Sequence, residues 1–331
     1  MLVSWMATNE CNLYCKHCYQ DAGEKKENEL STSQAKSMID GIHKAGFKIM
    51  IFSGGEPLMR EDIFELVSYA SDKGLRPVFG TNAMLITKEV AVQLKQCGTM
   101  AMGISLDSLD PGLHNQFRNH QNAHRLTMAG IKNCREAGLP FQIHTTVLDW
   151  NQNEILNITD YAVEAGAIAH YIFFLIPVGR AVNINETSLE IMENERMITK
   201  IIAKQKEVEI DIKPTCAPQF TRIAKQMGVN TRFTHGCLAG ITYCIISPVG
   251  IVRPCAYMTE EAGDIRKTPF AEIWKDSKLF QNLRTQAYKG ACANCDYKEM
   301  CGGCRARAGY YNNGDYMAED RYCAYGQKLV T

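Results

Sequence analysis

Glu10-Cys11-Asn12-Leu13-Tyr14-Cys15-Lys16-His17-Cys18-Tyr19 carries a cysteine triplet with the spacing C-x3-C-x2-C. Disulfide pairing does not account for an odd number of cysteines so close together. Thiolates that converge from one loop suit a cubic iron–sulfur cluster with one iron left open for a small molecule. A zinc site with His17 as fourth ligand is the alternative, although Cys15, His17 and Cys18 are too close in sequence for easy tetrahedral geometry.

The composition is that of a soluble globular chain with more than one domain. Of its 331 residues, 46% are hydrophobic and 22% are charged, and 36 basic residues balance 36 acidic ones. The balance predicts neither a nucleic-acid partner nor an anionic membrane partner. The longest apolar run, near 172–178, is too short to span a bilayer, and the first residues lack the features of a signal peptide. The chain has 14 cysteines, and we expect a cytoplasmic protein in which the clustered ones bind metal rather than form disulfides.

Strand-like and helix-like segments alternate six times from residue 1 to about residue 180, which predicts a parallel sheet with right-handed crossovers. The predicted strands cover residues 2–8, 47–52, 76–80, 100–106, 141–148 and 169–176. The expected fold class is α/β, a partial (β/α)6 TIM barrel followed by a small cysteine-rich α+β domain. Polar or glycine-bearing stretches follow the strands, so we expect them to share one mouth with the triplet. These stretches are Ser53-Gly54-Gly55-Glu56-Pro57, Thr81-Asn82, Ser105-Leu106-Asp107 and Pro177-Val178-Gly179-Arg180.

The expected domains are the barrel over 1–185, bridging helices over 186–234 and the cysteine-rich domain over 235–331. Eight of the 14 cysteines lie from Cys237 onward. Within these regions, Val208–Lys213 alternates like a short strand, and Ile241–Cys255 reads as a hairpin around a Pro-Val-Gly turn.

The triplet after the first strand, followed by Gly54-Gly55-Glu56-Pro57 after the second, resembles the radical S-adenosylmethionine (SAM) superfamily over about residues 1–180. The resemblance implies a [4Fe–4S] cluster on Cys11, Cys15 and Cys18 that binds SAM. An electron donor such as ferredoxin or flavodoxin would drive SAM cleavage to a 5′-deoxyadenosyl radical. SAM contacts are implied for Gly54, Gly55, Glu56, Asn82 and Ser105. Glycines let the backbone approach the methionyl amine closely, and Glu56 would accept from that ammonium.

The later cysteines resemble the SPASM extension of radical SAM enzymes, which implies one or two auxiliary [4Fe–4S] clusters. Carried over by position, Cys237, Cys244, Cys255 and Cys304 form the first ligand set. The second ligand set is Cys292, Cys295, Cys301 and Cys323. The chain departs from the commoner pattern in having two residues, not three, between Cys301 and Cys304. A pair of zinc ribbons is the alternative for the same spacing.

Cys216 and Arg180 belong to neither ligand set. Cys216, in Pro214-Thr215-Cys216-Ala217-Pro218, is read as a buried thiol, a cluster ligand or a substrate contact. Arg180 either binds an acidic group of the substrate or lies on the rim of the mouth.

Three stretches, 213–220, 235–244 and 301–316, resemble the radical enzymes of haem d1 and alternative haem biosynthesis. That resemblance implies removal of propionate or acetate side chains from an iron tetrapyrrole such as 12,18-didecarboxysirohaem. The first strand begins at residue 2, which favours the haem d1 branch. Forked cations would bind the carboxylates of such a substrate. The candidates are Arg180, Arg253, Arg266, Arg305 and Arg307.

The main alternative is a radical SAM peptide maturase that forms a thioether or a cross-link. Sulfatase maturation is disfavoured, because Ala256 stands where those enzymes carry an aspartate. A non-enzymatic electron-transfer protein would explain the clusters but not the Gly-Gly-Glu-Pro stretch, Asn82 or Ser105.

Overall fold

A computed structural model describes residues 1–330 and contains one ten-stranded sheet. The strands are β1 (Leu2–Thr8), β2 (Ile49–Gly54), β3 (Arg76–Thr81), β4 (Ala101–Ser105), β5 (Phe141–Val147), β6 (Ala169–Phe174), β7 (Asp211–Thr215), β8 (Tyr243–Ile246), β9 (Ile251–Arg253) and β10 (Gly263–Asp264). Their order across the sheet is β10-β9-β8-β1-β2-β3-β4-β5-β6-β7. Residue 331, where the predicted third domain ends, lies outside the described residues.

The helices up to residue 226 lie between the parallel strands, and the remaining helices follow the last strand of the sheet. The helices are α1 (Thr32–Lys44), α2 (Ile63–Asp72), α3 (Lys88–Gln96), α4 (Pro111–Arg118), α5 (Ala123–Ala137), α6 (Ile155–Ala165), α7 (Ile191–Lys204), α8 (Phe220–Gln226), α9 (Phe270–Asp276), α10 (Lys278–Thr285), α11 (Lys298–Cys301), α12 (Arg305–Tyr311) and α13 (Ala324–Val330). Helix α1 shows how the local sequence sets these bounds. The Ser31 side chain accepts from the Gln34 backbone, and the Gln34 side chain accepts in return from the Ser31 backbone. No helix within residues 1–330 is long and apolar enough to cross a membrane.

Along each strand, successive side chains point alternately into an apolar core outside the barrel and into the lumen inside it. On β1, Val3, Trp5 and Ala7 belong to the main apolar core. The ring of Phe52 on β2 lies 5.9 Å from Trp5 and 5.7 Å from Phe79 on β3. Residues at the intervening positions turn inward, because successive side chains of a strand point to opposite faces. The inner face is therefore free to carry polar and aromatic groups.

The predicted α/β barrel is confirmed, and its six predicted strands are β1 to β6. Two further parallel strands extend it. Strand β7 overlaps the short strand predicted over Val208–Lys213 and pairs with β6. The predicted hairpin forms β8 and β9, and β8 pairs in parallel with β1 over Leu2–Trp5. The backbone groups on the outer edge of β1 are thereby satisfied by the cysteine-rich region.

Candidate active site

The N-terminal triplet lies in the loop that follows β1, where its sulfurs are drawn together. Backbone N–H groups of Leu13 and Ala22 donate to the sulfurs of Cys11 and Cys18, each at 3.4 Å. Burial raises the pKa of the Cys11 thiol to about 12, and the neighbouring thiols of Cys15 and Cys18 contribute to the rise. Buried sulfurs this close together become thiolates only beside a compensating positive charge, which bound iron supplies. The donor set therefore fits a cluster with three protein ligands.

Arg118 supports this loop from the end of α4. Its Nη1 lies 3.8 Å from Cys15 Sγ, and its Nε and Nη2 donate to Asp107 Oδ2 at 2.7 and 2.6 Å. Asp107 is fully buried, and its other carboxylate oxygen accepts from the Thr146 backbone at 2.9 Å. The pair is thus a buried link between the cysteine loop and the ends of β4 and β5.

Arg180 is also a contact of the cysteine loop. Its Nε donates to the Cys15 carbonyl at 2.8 Å, and its Nη1 donates to the Ala22 carbonyl and to Asp21 at 2.9 and 2.7 Å. The guanidinium stacks 3.7 Å from the centroid of the Tyr14 ring. Most of its donors are therefore used to position the loop. Because its Nη1 is already engaged, Arg180 does not present both terminal nitrogens to a substrate carboxylate.

Gly54 and Gly55 end β2 directly against the start of the same loop. A Cβ on Gly54 would collide with the Thr8 carbonyl, and one on Gly55 would collide with the Glu10 carbonyl. Gly54 also has a φ of +133°, which side chains rarely allow. The Gly55 backbone N–H donates to the Thr8 carbonyl at 2.8 Å. Only glycine permits this close approach of β2 to the cysteine loop.

Glu56 is fully buried and points into the protein. Its carboxylate accepts from the Thr81 hydroxyl at 2.8 Å, from the Asn82 backbone at 2.9 Å and from the Leu58 backbone at 3.2 Å. Burial raises its pKa to about 7, and these three donors oppose the rise. This geometry does not favour the expected hydrogen bond from the ammonium of SAM to Glu56. Its carboxylate instead ties the end of β2 to the end of β3.

Asn82 and Ser105 complete the edge formed by the first four strands. The Asn82 amide donates to Asn12 Oδ1 at 2.7 Å and so reaches the cysteine loop directly. Ser105 ends β4 and is partly exposed. Its neighbour Ile104 belongs to the outer core, so Ser105 faces inward. The structure thus brings the triplet, the glycine turn, Asn82 and Ser105 to one mouth.

A second cysteine group forms where the end of β7 meets the C-terminal region. Burial raises the pKa of the Cys216 thiol, and the neighbouring thiols of Cys304 and Cys237 raise it further. The pKa of Cys255 is raised by burial and by Cys216 and Cys304. The Tyr257 backbone donates to Cys255 Sγ at 3.3 Å. Four sulfurs with mutual influence and a backbone donor fit a cluster with four protein ligands.

The structure corrects the prediction that Cys244 joins this group. Cys244 lies on β8 opposite Val3 of β1 and is packed in the main apolar core. Its neighbours Tyr243 and Ile245 occupy the inward positions of β8, and alternation therefore turns Cys244 outward. Cys216 stands beside Cys237, Cys255 and Cys304 in its place.

The third cysteine group surrounds one cavity of about 530 Å³ in the C-terminal region. Cys292, Cys295, Cys301 and Cys323 all line it. The Gly326 backbone donates to Cys323 Sγ at 3.3 Å. No three His, Cys, Asp or Glu side chains of residues 1–330 are placed to hold a single metal ion. A cubic cluster is larger than a single metal ion, and a cavity of this volume can accommodate it.

Cys216 is the site residue whose role the sequence left undecided. It follows β7 and adopts a φ of +60°, between two prolines at 214 and 218. The other site residues of the barrel also follow strands. The alternation of Val208–Lys213 predicts a strand just before Cys216, so a cysteine that follows a predicted strand is the signal for this position.

Residues 5–162 match the model of the Radical SAM superfamily. Residues 237–296 match the SPASM iron–sulfur cluster-binding domain. The first match contains the N-terminal triplet, and the second contains Cys237, Cys255, Cys292 and Cys295 of the later groups.

Among named proteins, the AdoMet-dependent heme synthase of Nitratidesulfovibrio vulgaris is 41% identical over 100% of this chain and 94% of its own length. A mycofactocin maturase of Mycolicibacterium smegmatis is 30% identical over 92% of this chain and 78% of its own. A pre-heme d1 synthase of Dinoroseobacter shibae is 26% identical over 97% and 85%.

Solved structures share the fold at low sequence identity. Streptococcus suis SuiB bound to the precursor peptide SuiA superposes with a TM-score of 0.80 at 18% identity, over 98% of this chain and 75% of that one. Native anSMEcpe with bound AdoMet gives 0.73 at 16% identity, over 99% and 94%.

Proposed function

The chain belongs to the radical SAM superfamily and carries a SPASM domain, and on this basis we propose that it completes haem by converting propionate side chains of an iron porphyrin to vinyl groups. The observation that carries the proposal is the 41% identity to an AdoMet-dependent heme synthase, which extends over this whole chain. A product that is haem, with two vinyl groups, points to a substrate that has propionates at those positions. Iron coproporphyrin III is such a compound.

We assign the cofactors to the cysteine groups as follows. Cys11, Cys15 and Cys18 would hold the cluster that binds SAM, with Gly54, Gly55, Asn82 and Ser105 around the SAM molecule. SAM bound there supplies a 5′-deoxyadenosyl radical that abstracts a hydrogen atom from substrate. Cys216, Cys237, Cys255 and Cys304 would hold the first auxiliary cluster. Cys292, Cys295, Cys301 and Cys323 would hold the second.

The overall reaction leaves an electron that the chain must remove. Each propionate loses one hydrogen atom to 5′-deoxyadenosine, then carbon dioxide and one electron, and it becomes a vinyl group. The first auxiliary cysteine group lies close enough to the N-terminal loop for Cys255 and Cys216 to influence the pKa of Tyr19. A cluster held by this group would supply a redox centre near the N-terminal loop for this electron. The protein otherwise orients the substrate and excludes water.

The haem d1 branch was the expectation, and the comparisons lead us to propose haem synthesis instead. Identity to the heme synthase is 41%, against 26% to the pre-heme d1 synthase. Such a gap over nearly the same length favours the chemistry of the first relative. The peptide maturase stays the alternative, because a mycofactocin maturase is 30% identical.

Anaerobic turnover tests this proposal. The reconstituted protein is incubated with SAM, a reductant and iron coproporphyrin III, and the tetrapyrrole is analysed by mass spectrometry. We expect products that have lost one carboxyl group and one hydrogen atom from one side chain, then from two. Parallel reactions contain didecarboxysirohaem or a cysteine-bearing peptide. Modification of either one, with iron coproporphyrin III unchanged, would overturn the proposal in favour of the haem d1 or the peptide reaction.

A further inference from the structure

One continuous row of inward-facing residues crosses four neighbouring strands of the barrel. Ser105 on β4 is the register partner of His144 on β5, which pairs with Tyr171 on β6, which pairs with Lys213 on β7. Adjacent strands are spaced by about 4.8 Å, so the row measures about 14 Å from Ser105 to Lys213. Their strand neighbours belong to the apolar cores on the opposite face, which turns the row toward the lumen. These neighbours are Ile104, Ile143, Ile172 and Ile212.

The middle of this row is aromatic. The rings of His144 and Tyr171 are stacked, with centroids 5.5 Å apart and planes 7° from parallel. The His144 ring lies over Gly103, where any Cβ would collide with it. Phe173 lies 5.2 Å from the His144 ring on the next inward position of β6. All three rings are partly exposed, so a large aromatic ligand in the lumen can pack against them.

Lys213 ends the row as a cation without an anionic partner. Its Nζ lies 4.6 Å from the Phe233 ring centroid and 5.6 Å from that of Tyr171. Within residues 1–330 no carboxylate forms an ion pair with it. Burial lowers its pKa, because aromatic surroundings solvate an ammonium poorly. A carboxylate brought here by a ligand would therefore gain a charge-assisted hydrogen bond.

The arginines that were candidates for this role are already engaged. Arg305 donates to the carbonyls of Tyr316 and Ala318, and Arg307 donates to Asp320 and to the Cys216 carbonyl. Ion pairs also engage the two remaining arginines at the surface. These are Arg253 with Glu261 and Arg266 with Asp264. In contrast to these side chains, Lys213 combines a free charge with a position in the lumen.

We propose that Lys213 binds a carboxylate of the substrate while the macrocycle packs against His144 and Tyr171, so that another side chain reaches the SAM site at Ser105. This inference rests on the proposed function, because it takes the ligand to be an iron porphyrin with several propionates. The row is comparable in length to such a macrocycle with its side chains. Lys213 would thus determine which side chain is presented for reaction.

Optical titration of the anaerobic, cluster-loaded protein tests the inference. Iron coproporphyrin III is compared with its tetramethyl ester, which keeps the macrocycle and lacks every carboxylate. For Lys213→Met we expect about 10- to 100-fold weaker binding of the acid and unchanged binding of the ester. Lys213→Arg should retain most of the affinity for the acid. Lys200→Met, at an exposed position of α7, is the matched control and should bind both ligands like the wild type.

The outcomes separate this inference from the function on which it rests. If the wild type converts iron coproporphyrin III but Lys213→Met binds it equally well, Lys213 is not the carboxylate site and the proposed function stands. Equal weakening of the acid and the ester, in a variant with unchanged iron content, would assign Lys213 a packing role and overturn the inference. A wild type that binds neither ligand would overturn both.

Discussion

Tyr19 and Tyr257 pack against each other with ring centroids 5.1 Å apart. Tyr19 follows Cys18 of the N-terminal loop, and Tyr257 donates its backbone N–H to Cys255 Sγ. The contact therefore joins the two cysteine groups that are far apart in sequence. Together with the pairing of β8 and β1, it makes the C-terminal region a wall of the barrel. A substitution near one of these cysteine groups should therefore also affect the other group.

The cysteine assignment predicts different outcomes for two buried thiols. Cys216→Ala should lower the iron content of anaerobically purified protein by about one cubane, because it removes one of four ligands. Cys244→Ala should leave the iron content unchanged, because Cys244 packs in the apolar core. Iron analysis with Mössbauer spectroscopy measures both. Cys134→Ala, another buried core cysteine, is the control. Loss of iron in Cys244→Ala alone would restore the original ligand set.

Replacing Cys11, Cys15 and Cys18 together by Ala should abolish formation of 5′-deoxyadenosine. The auxiliary iron should remain, because the other cysteine groups lie on different elements. Chromatography of the reduced reaction mixture and iron analysis of the same sample provide the two readouts. SAM cleavage that persists in this variant would contradict the assignment of the triplet.

Arg118→Met should destabilise the protein and shift the potential of the N-terminal cluster. The substitution leaves the buried Asp107 carboxylate unpaired, at a cost of about 3–5 kcal/mol. It also removes the donor 3.8 Å from Cys15 Sγ, so the potential should fall by on the order of tens of millivolts. Thermal unfolding and an EPR-monitored redox titration measure the two effects.

A double variant separates the two roles of Arg118. Asp107→Asn added to Arg118→Met removes the unpaired charge and keeps an acceptor for the Thr146 backbone. We expect the double variant to regain the lost stability but not the wild-type potential of the N-terminal cluster. Recovery of both stability and potential would show that the potential of the cluster does not depend on Arg118.

His170 should make stability depend on pH. Its Nε2 lies 2.9 Å from the Thr145 hydroxyl, which donates to the Leu106 carbonyl. Its Nδ1 lies 2.9 Å from the Thr159 hydroxyl, which also donates to the Ile155 carbonyl. Burial lowers the pKa of His170 from 6.5 to about 3. Below pH 6.5 the unfolded chain therefore binds more protons than the folded one, and stability falls as the pH falls.

Between pH 6.5 and pH 5 this residue should remove about 2 kcal/mol of stability. His170→Gln should reduce the fall by that amount, because glutamine does not titrate. Thermal midpoints at pH 5, 6 and 7 measure it, with the exposed His43→Gln as control. An identical fall in the wild type and His170→Gln would rule out the contribution.

Local sequence patterns were sufficient for the barrel and for the N-terminal site. Strand alternation, helix caps such as Ser31 and the spacing of Cys11, Cys15 and Cys18 are encoded in neighbouring residues, so they can be read without tertiary contacts. The glycines at 54 and 55 were recognised for the same reason, since their requirement is a property of the backbone.

Tertiary structure alone decided which cysteines meet and where side chains point. Cys244 and Cys216 have equally suggestive positions in sequence, but the register of β8 buries the first and the end of β7 delivers the second. Glu56 turned inward because Thr81 and Asn82 lie across the neighbouring strand end. Lys213 became distinctive only when β4 to β7 aligned it with Ser105. Each of these outcomes depends on pairing between distant segments, which no local pattern specifies.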